Sequence, residues 1–174
     1  MAITKFQFHD RLRDWTLNEM SLTNFNLLVG LSGVGKTRFL VKLDAVRHAA
    51  VFQTDKVNGC EWTIELISEG VKYSWSAKTS SVPGDPSSRY GKTGEKDLPN
   101  FLSEQIIRGD GVKLVERAKD RFIFMGKPLP KLKNTESAVS LLRDEESIAP
   151  LYRAFCRFFH SRVADVLTGS TVSE

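Results

Sequence analysis

The sequence predicts an α/β fold with α+β character, in which a strand–loop–helix core precedes an antiparallel β-subdomain and C-terminal helices. Three observations predict it. An apolar run at residues 25–29 leads into a glycine-rich segment and then a helical pattern. From Glu61 onward apolar and polar residues alternate, as in half-buried strands. Near the C-terminus apolar residues recur at helical spacing. We expect one unit, with the core over 1–60, the β-subdomain over 61–125 and the helical segment over 135–168.

The glycine-rich segment is a phosphate-binding motif. Residues 30–37 read Gly-Leu-Ser-Gly-Val-Gly-Lys-Thr, which matches G-x-x-x-x-G-K-[ST]. Backbone N–H groups at a helix N-terminus bind phosphate, and glycines let the backbone wrap around it, because a Cβ would collide with the phosphate or forbid the turn. The strand before the motif and the helix after it are its expected context, so the core is predicted to be a P-loop NTPase lobe. The predicted nucleotide-binding residues are Gly30, Leu31, Ser32, Gly33, Val34, Gly35, Lys36, Thr37 and Arg38.

Two side chains of the motif carry the predicted chemistry. Lys36 can reach the β- and γ-phosphates and neutralise charge that develops during reaction, so it is the predicted catalytic residue. Thr37 can place its hydroxyl on Mg²⁺ and is the predicted metal ligand. The predicted cofactors are therefore ATP and Mg²⁺.

A second Gly-Lys-Thr, at residues 91–93, is not predicted to bind phosphate. Its upstream glycine, Gly84, leaves six intervening residues instead of four. The residues before it are polar and contain prolines, with no buried strand. We expect residues 79–100 to form a mobile surface insertion.

The remaining pattern predicts hairpins followed by helices. Residues 4–8 and 15–22 read as two strands before the motif, and turns at 68–70 and 109–111 each join two alternating runs. Residues 121–125 read as a further strand, and 126–130 as a break. Ser137 is placed to cap one helix, and Pro150 to begin another. The apolar stripe of the last helix comprises Leu151, Phe155, Phe158, Phe159, Val163 and Val166.

Composition limits the class of protein. The 174 residues suit one compact domain. No stretch approaches the ~20 apolar residues of a membrane span, and charged residues interrupt the N-terminus, so neither membrane association nor a signal peptide is expected. Cys60 and Cys156 lie far apart without CxxC partners, which favours buried reduced thiols and the cytoplasm. The net charge of +4 permits contact with nucleic acid without arguing for it.

The order of elements resembles the N-terminal lobe of an ATP-binding-cassette-type ATPase of the SMC/RecF/OLD group. The matching segments are residues 27–30 leading into 35–37, the strand at 102–106 with its Gly-Asp-Gly turn, and residues 137–142. In that group, which includes AAA-domain proteins of phage defence and DNA repair, two strands precede the loop and a β-subdomain and helices follow it. The resemblance implies an ATP- and Mg²⁺-dependent switch in a DNA-related or defence function.

The sequence departs from that group in its acidic motif. Hydrolysis in such ATPases needs an apolar strand that ends in Asp and Glu, which hold Mg²⁺ and polarise water. The nearest match, residues 139–145, is interrupted by Arg143 and follows a helix start, so a solvated acidic helix end is favoured. An LSGGQ-like signature and its switch histidine are also missing. We therefore expect turnover to need a further lobe, a second copy or a partner chain, with nucleic acid as a possible partner.

Two other functions stay open. A small phosphotransferase would need a lid, for which residues 79–100 with Arg89 and Lys92 are the candidate. A non-enzymatic interaction module would bind ATP structurally.

Several further residues are weaker candidates, and the ordinary structural role is favoured for each. His9 or Trp15 could contact adenine, but a surface or core position is favoured for each. Gln105 could contact Mg²⁺, but its place in a strand pattern favours a sheet-face position. His48 and His160 are isolated, with no nearby Ser or Cys arrangement that suggests nucleophilic catalysis. Lys42 and Arg47 are expected on a solvated helix face.

Overall fold

An eight-stranded antiparallel sheet is the main element of the structure. The computed structural model describes residues 2–31, 33, 35–82, 98–118, 121–130 and 133–157. The strand order is β2-β1-β3-β4-β5-β6-β7-β8, and every neighbouring pair is antiparallel. The strands are β1 Ala2–Asp10, β2 Trp15–Ser21, β3 Cys60–Ser68, β4 Val71–Thr79, β5 Phe101–Arg108, β6 Lys113–Ala118, β7 Arg121–Phe124 and β8 Lys127–Pro128. The helices are α1 Lys36–Val51, α2 Ala138–Leu141 and α3 Ala149–Cys156.

The predicted α/β P-loop core is wrong, because the fold is β-rich and the described sheet has no parallel pair. Residues 25–29, the expected core strand, form irregular backbone. A turn at residues 23–26 overlaps them, in which the Thr23 amide donates to Asn26 Oδ1 (3.0 Å) and Asn26 Nδ2 donates to the Thr23 carbonyl (2.7 Å). Parallel strands need long crossover connections, whereas β3–β4 and β7–β8 are joined by two-residue turns, which give antiparallel pairing.

The two predicted hairpins, β3–β4 and β5–β6, are confirmed. Glu69 and Gly70, between β3 and β4, have φ of 53° and 79°. Two successive left-handed residues give a turn whose twist suits a two-residue hairpin. The β7–β8 hairpin was not predicted: residues 126–130 were expected to be a break, yet Met125 and Gly126 form a turn with φ of 48° and 77°, and β8 follows it.

One face of the sheet carries the core. Alternate residues of the central strands, such as Phe6, Phe8, Trp62 and Trp75, are buried there beneath the helices. The opposite face is polar, as shown by Thr63 and Ser76, whose hydroxyls lie 2.9 Å apart. Within the described ranges, none of the helices has the length and apolar character that crossing a bilayer requires.

Helix α1 follows the glycine-rich motif and packs on the sheet. Phe39, Leu43 and Val46 are buried, and the ring of Phe39 meets that of Phe6 edge-on at 5.9 Å between centroids. The predicted helix after the motif is confirmed. Its packing fixes the start of α1 beside β1 and β2.

A buried ion pair joins the sheet to the C-terminal helices. Glu104 on β5 accepts hydrogen bonds from Arg117 Nη1 (3.1 Å), Trp75 Nε1 (3.0 Å) and the Ala138 amide (2.9 Å). Arg117 also donates to the carbonyls of Glu136 (2.8 Å) and of Lys133. Burial raises the pKa of Glu104 above its ordinary value, although the charge of Arg117 opposes that shift. The network fixes the chain segment that leads into α2.

The predicted caps and helix starts are confirmed where the chain is described. Ser137 caps α2 by accepting a hydrogen bond from the Ser140 amide (3.1 Å), and Pro150 lies in the first turn of α3. Leu151 and Phe155 are buried as predicted. The rest of the predicted stripe, from Phe158 onward, lies outside the described residues, as do residues 83–97 with the second Gly-Lys-Thr.

The two cysteines differ in their exposure to solvent. Cys60 is a buried free thiol, and burial raises its pKa to about 12, so it is unreactive at neutral pH. Cys156 is exposed, so the expectation that it is buried is wrong.

Candidate phosphate-binding site

The backbone of the glycine-rich motif has the conformations that its glycines were predicted to allow. Gly30, Gly33 and Gly35 have φ of 153°, 87° and 95°. Chain neighbours aside, no atom of the described residues lies within 4 Å of a Cβ built on Gly33 or Gly35. The left-handed backbone, and not crowding by the protein, is therefore what requires glycine at these two positions. Ser32 and Val34 lie outside the described residues.

The side chain of Lys36 folds back over the motif. Its Nζ donates to the carbonyls of Gly30 (2.7 Å) and Leu31 (2.8 Å). An ammonium group has three N–H donors, so a third remains beyond these two bonds. The cation is thus held against the backbone of the loop, where it can meet an anion bound there.

The N-terminus of α1 has no side-chain cap among the described residues. Gly35 is the N-cap residue, and the first turn contains no acidic residue. The first helical bond runs from the Phe39 amide to the Gly35 carbonyl (2.9 Å). The amides of Lys36, Thr37 and Arg38 precede that bond, and the helix dipole is positive at this end. Thr37 is exposed, so its hydroxyl can reach a ligand.

An aromatic side chain lies beside this first turn. The guanidinium carbon of Arg38 is 4.7 Å from the ring centroid of Trp15, at the start of β2. Phe8 also contacts Trp15, with ring centroids 6.2 Å apart. Trp15 is half-buried, and its contact with Arg38 connects β2 to the helix that begins at the motif.

The position of α1 is fixed by a buried ion pair that the sequence reasoning missed. Lys42 Nζ lies 2.7 Å from Asp10 Oδ2, and the carboxylate of Asp10 is fully buried. Arg13 also donates to Asp10, through its backbone amide and its guanidinium (3.1 and 3.2 Å). Burial raises the pKa of Asp10, but the hydrogen bonds and charges of its cationic partners outweigh burial, and the pKa lies below its ordinary value.

The expectation that Lys42 is solvated is therefore wrong. It lies on the same helical face as Phe39 and Val46, which pack on the sheet. The sequence did indicate that Asp10 needs a partner. Asp10 lies on the same strand face as Phe6 and Phe8, and a carboxylate on a buried face needs a cation. Arg47 is half-buried and bonds to Asp44 (2.9 Å).

The other weak candidates have ordinary structural positions. Gln105 lies on the polar sheet face, as expected, and His9 lies within β1. His48 Nε2 lies 2.9 Å from Asp55 Oδ1, and burial lowers the pKa of His48. His160 is outside the described residues.

The acidic segment at 139–145 is confirmed as a helix end. It comprises part of α2 and the turn after it, and the side chain of Asp144 is 96% exposed. Among the described residues, no group of three or more His, Cys, Asp or Glu is arranged to hold a metal ion. A Mg²⁺ ion here would depend on Thr37, phosphate oxygens and water, which are ligands that this ion accepts.

A row of apolar side chains is exposed immediately before and within the motif. Phe25, Leu27, Val29 and Leu31 are 82%, 73%, 76% and 83% exposed, whereas Leu28 packs against the core. We refer to these four residues as the exposed apolar row. Large apolar side chains rarely cluster on a monomer surface unless another surface covers them.

No protein-family model matches the sequence, and a search of curated proteins finds no significant relative.

Proposed function

We propose that the chain binds ATP with Mg²⁺ at residues 30–37, as the nucleotide-binding part of an SMC/RecF-like ATPase. The observation that carries the proposal is the position of Lys36, whose ammonium lies against the glycine-rich loop at the uncapped N-terminus of α1. A cation, free helix amides and left-handed glycines together favour a multiply charged phosphate over a neutral ligand.

Each group has a distinct part in this function. The amides at the start of α1 and those of the loop bind phosphate oxygens. Lys36 offsets negative charge on the outer phosphates, and the hydroxyl of Thr37 is a ligand for Mg²⁺. The ion, when bound, draws charge from the phosphate oxygens. The residues present fit such a group, because Thr37 is exposed and no side chain caps the helix.

Part of the chain order supports the SMC/RecF-like assignment. Two strands precede the loop, hairpin-linked strands follow α1, and short helices come last. The matching segment at residues 27–30 is irregular, so the support comes from the other elements. We propose that the nucleotide acts as a switch in a DNA-related or phage-defence function, with nucleic acid as a possible partner.

The exposed apolar row supports the need for a further polypeptide. The described site offers a cation and a hydroxyl but no acidic strand, and the one acidic match in the sequence is a helix end. We propose that a further lobe or a partner chain covers the row and supplies the carboxylates that position Mg²⁺ and water. The isolated chain should then bind ATP without hydrolysing it.

Calorimetric titration with Mg²⁺-ATP tests the binding. Lys36→Ala should lower the affinity by about 100-fold or more, because it removes the cation from the phosphates. Lys127→Ala is the matched control, since Lys127 is an exposed lysine on β8, and it should bind as the wild type does. Equal affinity of the Lys36→Ala variant and the wild type would contradict the proposal.

A phosphate-release assay tests the need for a partner. We expect no turnover by the 174-residue chain. Turnover would instead favour a small phosphotransferase, with a second substrate to be identified. Nucleotide that stays bound through purification and is hydrolysed in no combination with a partner would favour the non-catalytic interaction module.

A further inference from the structure

The guanidinium of Arg38 is held against an aromatic ring beside the phosphate-binding loop. Its Cζ lies 4.7 Å from the ring centroid of Trp15, well within the ~6 Å range of a cation–π contact. Within the described parts of the chain, no ion pair joins Arg38 to a carboxylate. The indole, and not an acidic side chain, is therefore the contact that orients this guanidinium.

Trp15 is poorly placed to stack on a ligand ring directly. One side of its ring is approached by Arg38, and Phe8 packs against it at 6.2 Å between centroids. Arg38 keeps part of its own surface exposed. The side of the indole that faces Arg38 is therefore covered, whereas the guanidinium keeps an exposed surface of its own.

Arg38 also follows Thr37 directly in the chain. If the phosphates of a nucleotide lie on the loop and on Thr37, the guanidinium of Arg38, held over Trp15, belongs to the residue next to them on the first turn of the helix. A guanidinium is planar and weakly hydrated, and nucleobases stack on it as they do on aromatic rings. Because Trp15 already orients the guanidinium, less side-chain entropy is lost when a base stacks on it.

We propose that the nucleobase stacks on the guanidinium of Arg38, which Trp15 holds in place. This proposal rests on the proposed nucleotide binding at residues 30–37. It divides the site into two parts, with Lys36 and the loop binding the phosphates and Arg38 binding the base. Arg38 then contributes to the affinity for a nucleotide but not to the affinity for phosphate alone.

The test compares two ligands, ATP and inorganic tripolyphosphate, each titrated with Mg²⁺ by calorimetry. Arg38→Ala should weaken ATP binding by about tenfold, the size typical of one stacked base, and should leave tripolyphosphate binding within about twofold. Arg38→Lys should not restore ATP binding, because an ammonium has a charge but no flat face. Trp15→Leu should weaken ATP binding in the same selective manner.

Matched controls keep the result interpretable. Arg121→Ala removes an exposed arginine from β7 and should affect neither ligand, and thermal unfolding should show that every variant folds. Equal loss of both ligands in Arg38→Ala, with rescue by Arg38→Lys, would assign Arg38 to the phosphates and overturn the proposal. Unchanged ATP affinity would also overturn it. A wild-type chain that binds neither ligand would instead refute the proposed function itself.

Discussion

Lys42 and Asp10 form a buried ion pair between α1 and the end of β1, with 2.7 Å between Nζ and Oδ2. The helix that begins at the glycine-rich motif is thereby joined to β1, which also pairs with β3, a strand that begins much later in the chain, at Cys60. Lys42 also lies over the ring of Phe8, 5.2 Å from its centroid. The pair positions α1 without touching the ligand site.

Lys42→Met should destabilise the fold strongly. The variant removes the cation that faces Asp10, and the buried carboxylate keeps only its bonds to the exposed Arg13. Loss of one partner of a buried pair typically costs about 3 kcal/mol of the free energy of unfolding. Urea unfolding followed by circular dichroism measures the change.

The double variant Asp10→Asn with Lys42→Met should recover much of that loss, because neither charge then remains buried. The pKa of Asp10 is depressed in the folded state, so its contribution is present above the unfolded pKa, near 3.9, and disappears as pH falls through the folded value. The advantage of the wild type over the double variant should therefore shrink in acid. A double variant as unstable as Lys42→Met would contradict this account.

Arg117→Met should produce the opposite dependence on pH. It leaves Glu104 buried without its cation, and its pKa, already raised by burial, should rise further. A carboxyl group whose folded pKa exceeds the unfolded one loses stability as pH rises between the two values. We expect a lower melting temperature than the wild type at pH 8 and a smaller deficit at pH 5. A deficit that does not change with pH would show that Glu104 does not titrate over this range.

Gly35→Ala should strain the loop without creating a clash. Within the described part of the chain, nothing but the chain neighbours lies within 4 Å of the added Cβ, so the cost comes from φ at +95° and should be about 1 kcal/mol. Gly35→Asn is the matched variant, because asparagine tolerates left-handed backbone better, and it should cost less. Chemical unfolding of both variants measures the difference, and equal losses would argue against a backbone origin.

The hairpins were predictable because their signals are local. Alternation from Glu61, the Glu69-Gly70 turn and the Ser137 cap each depend on residues within a few positions of one another. The core strand at 25–29 was not predictable, because an apolar run becomes a strand only if another strand pairs with it. Here the four residues of the exposed apolar row have no such neighbour in the described chain, and the segment is irregular.

The candidate site was likewise predictable only where its sequence signal is local. The motif at 30–37 located Lys36 and the start of α1, because its spacing encodes a local turn. The contact of Arg38 with Trp15 and the pairing of Lys42 with Asp10 join segments that are distant in sequence. The only indication of these contacts in the sequence was the face of the strand or helix on which each residue lies. The partner of each residue could be identified only from the folded structure.

The pairing of β1 with β3 has a consequence for the order of folding. The glycine-rich motif lies between these strands, on the connection from residue 11 to residue 59, and β3 forms one wall of the core on which α1 packs. Closing so long a connection costs entropy before any contact repays it, so this step should be slow compared with hairpin formation. During synthesis, the sheet under α1 is therefore extended beyond β1 only after the chain through Ser68 has left the ribosome.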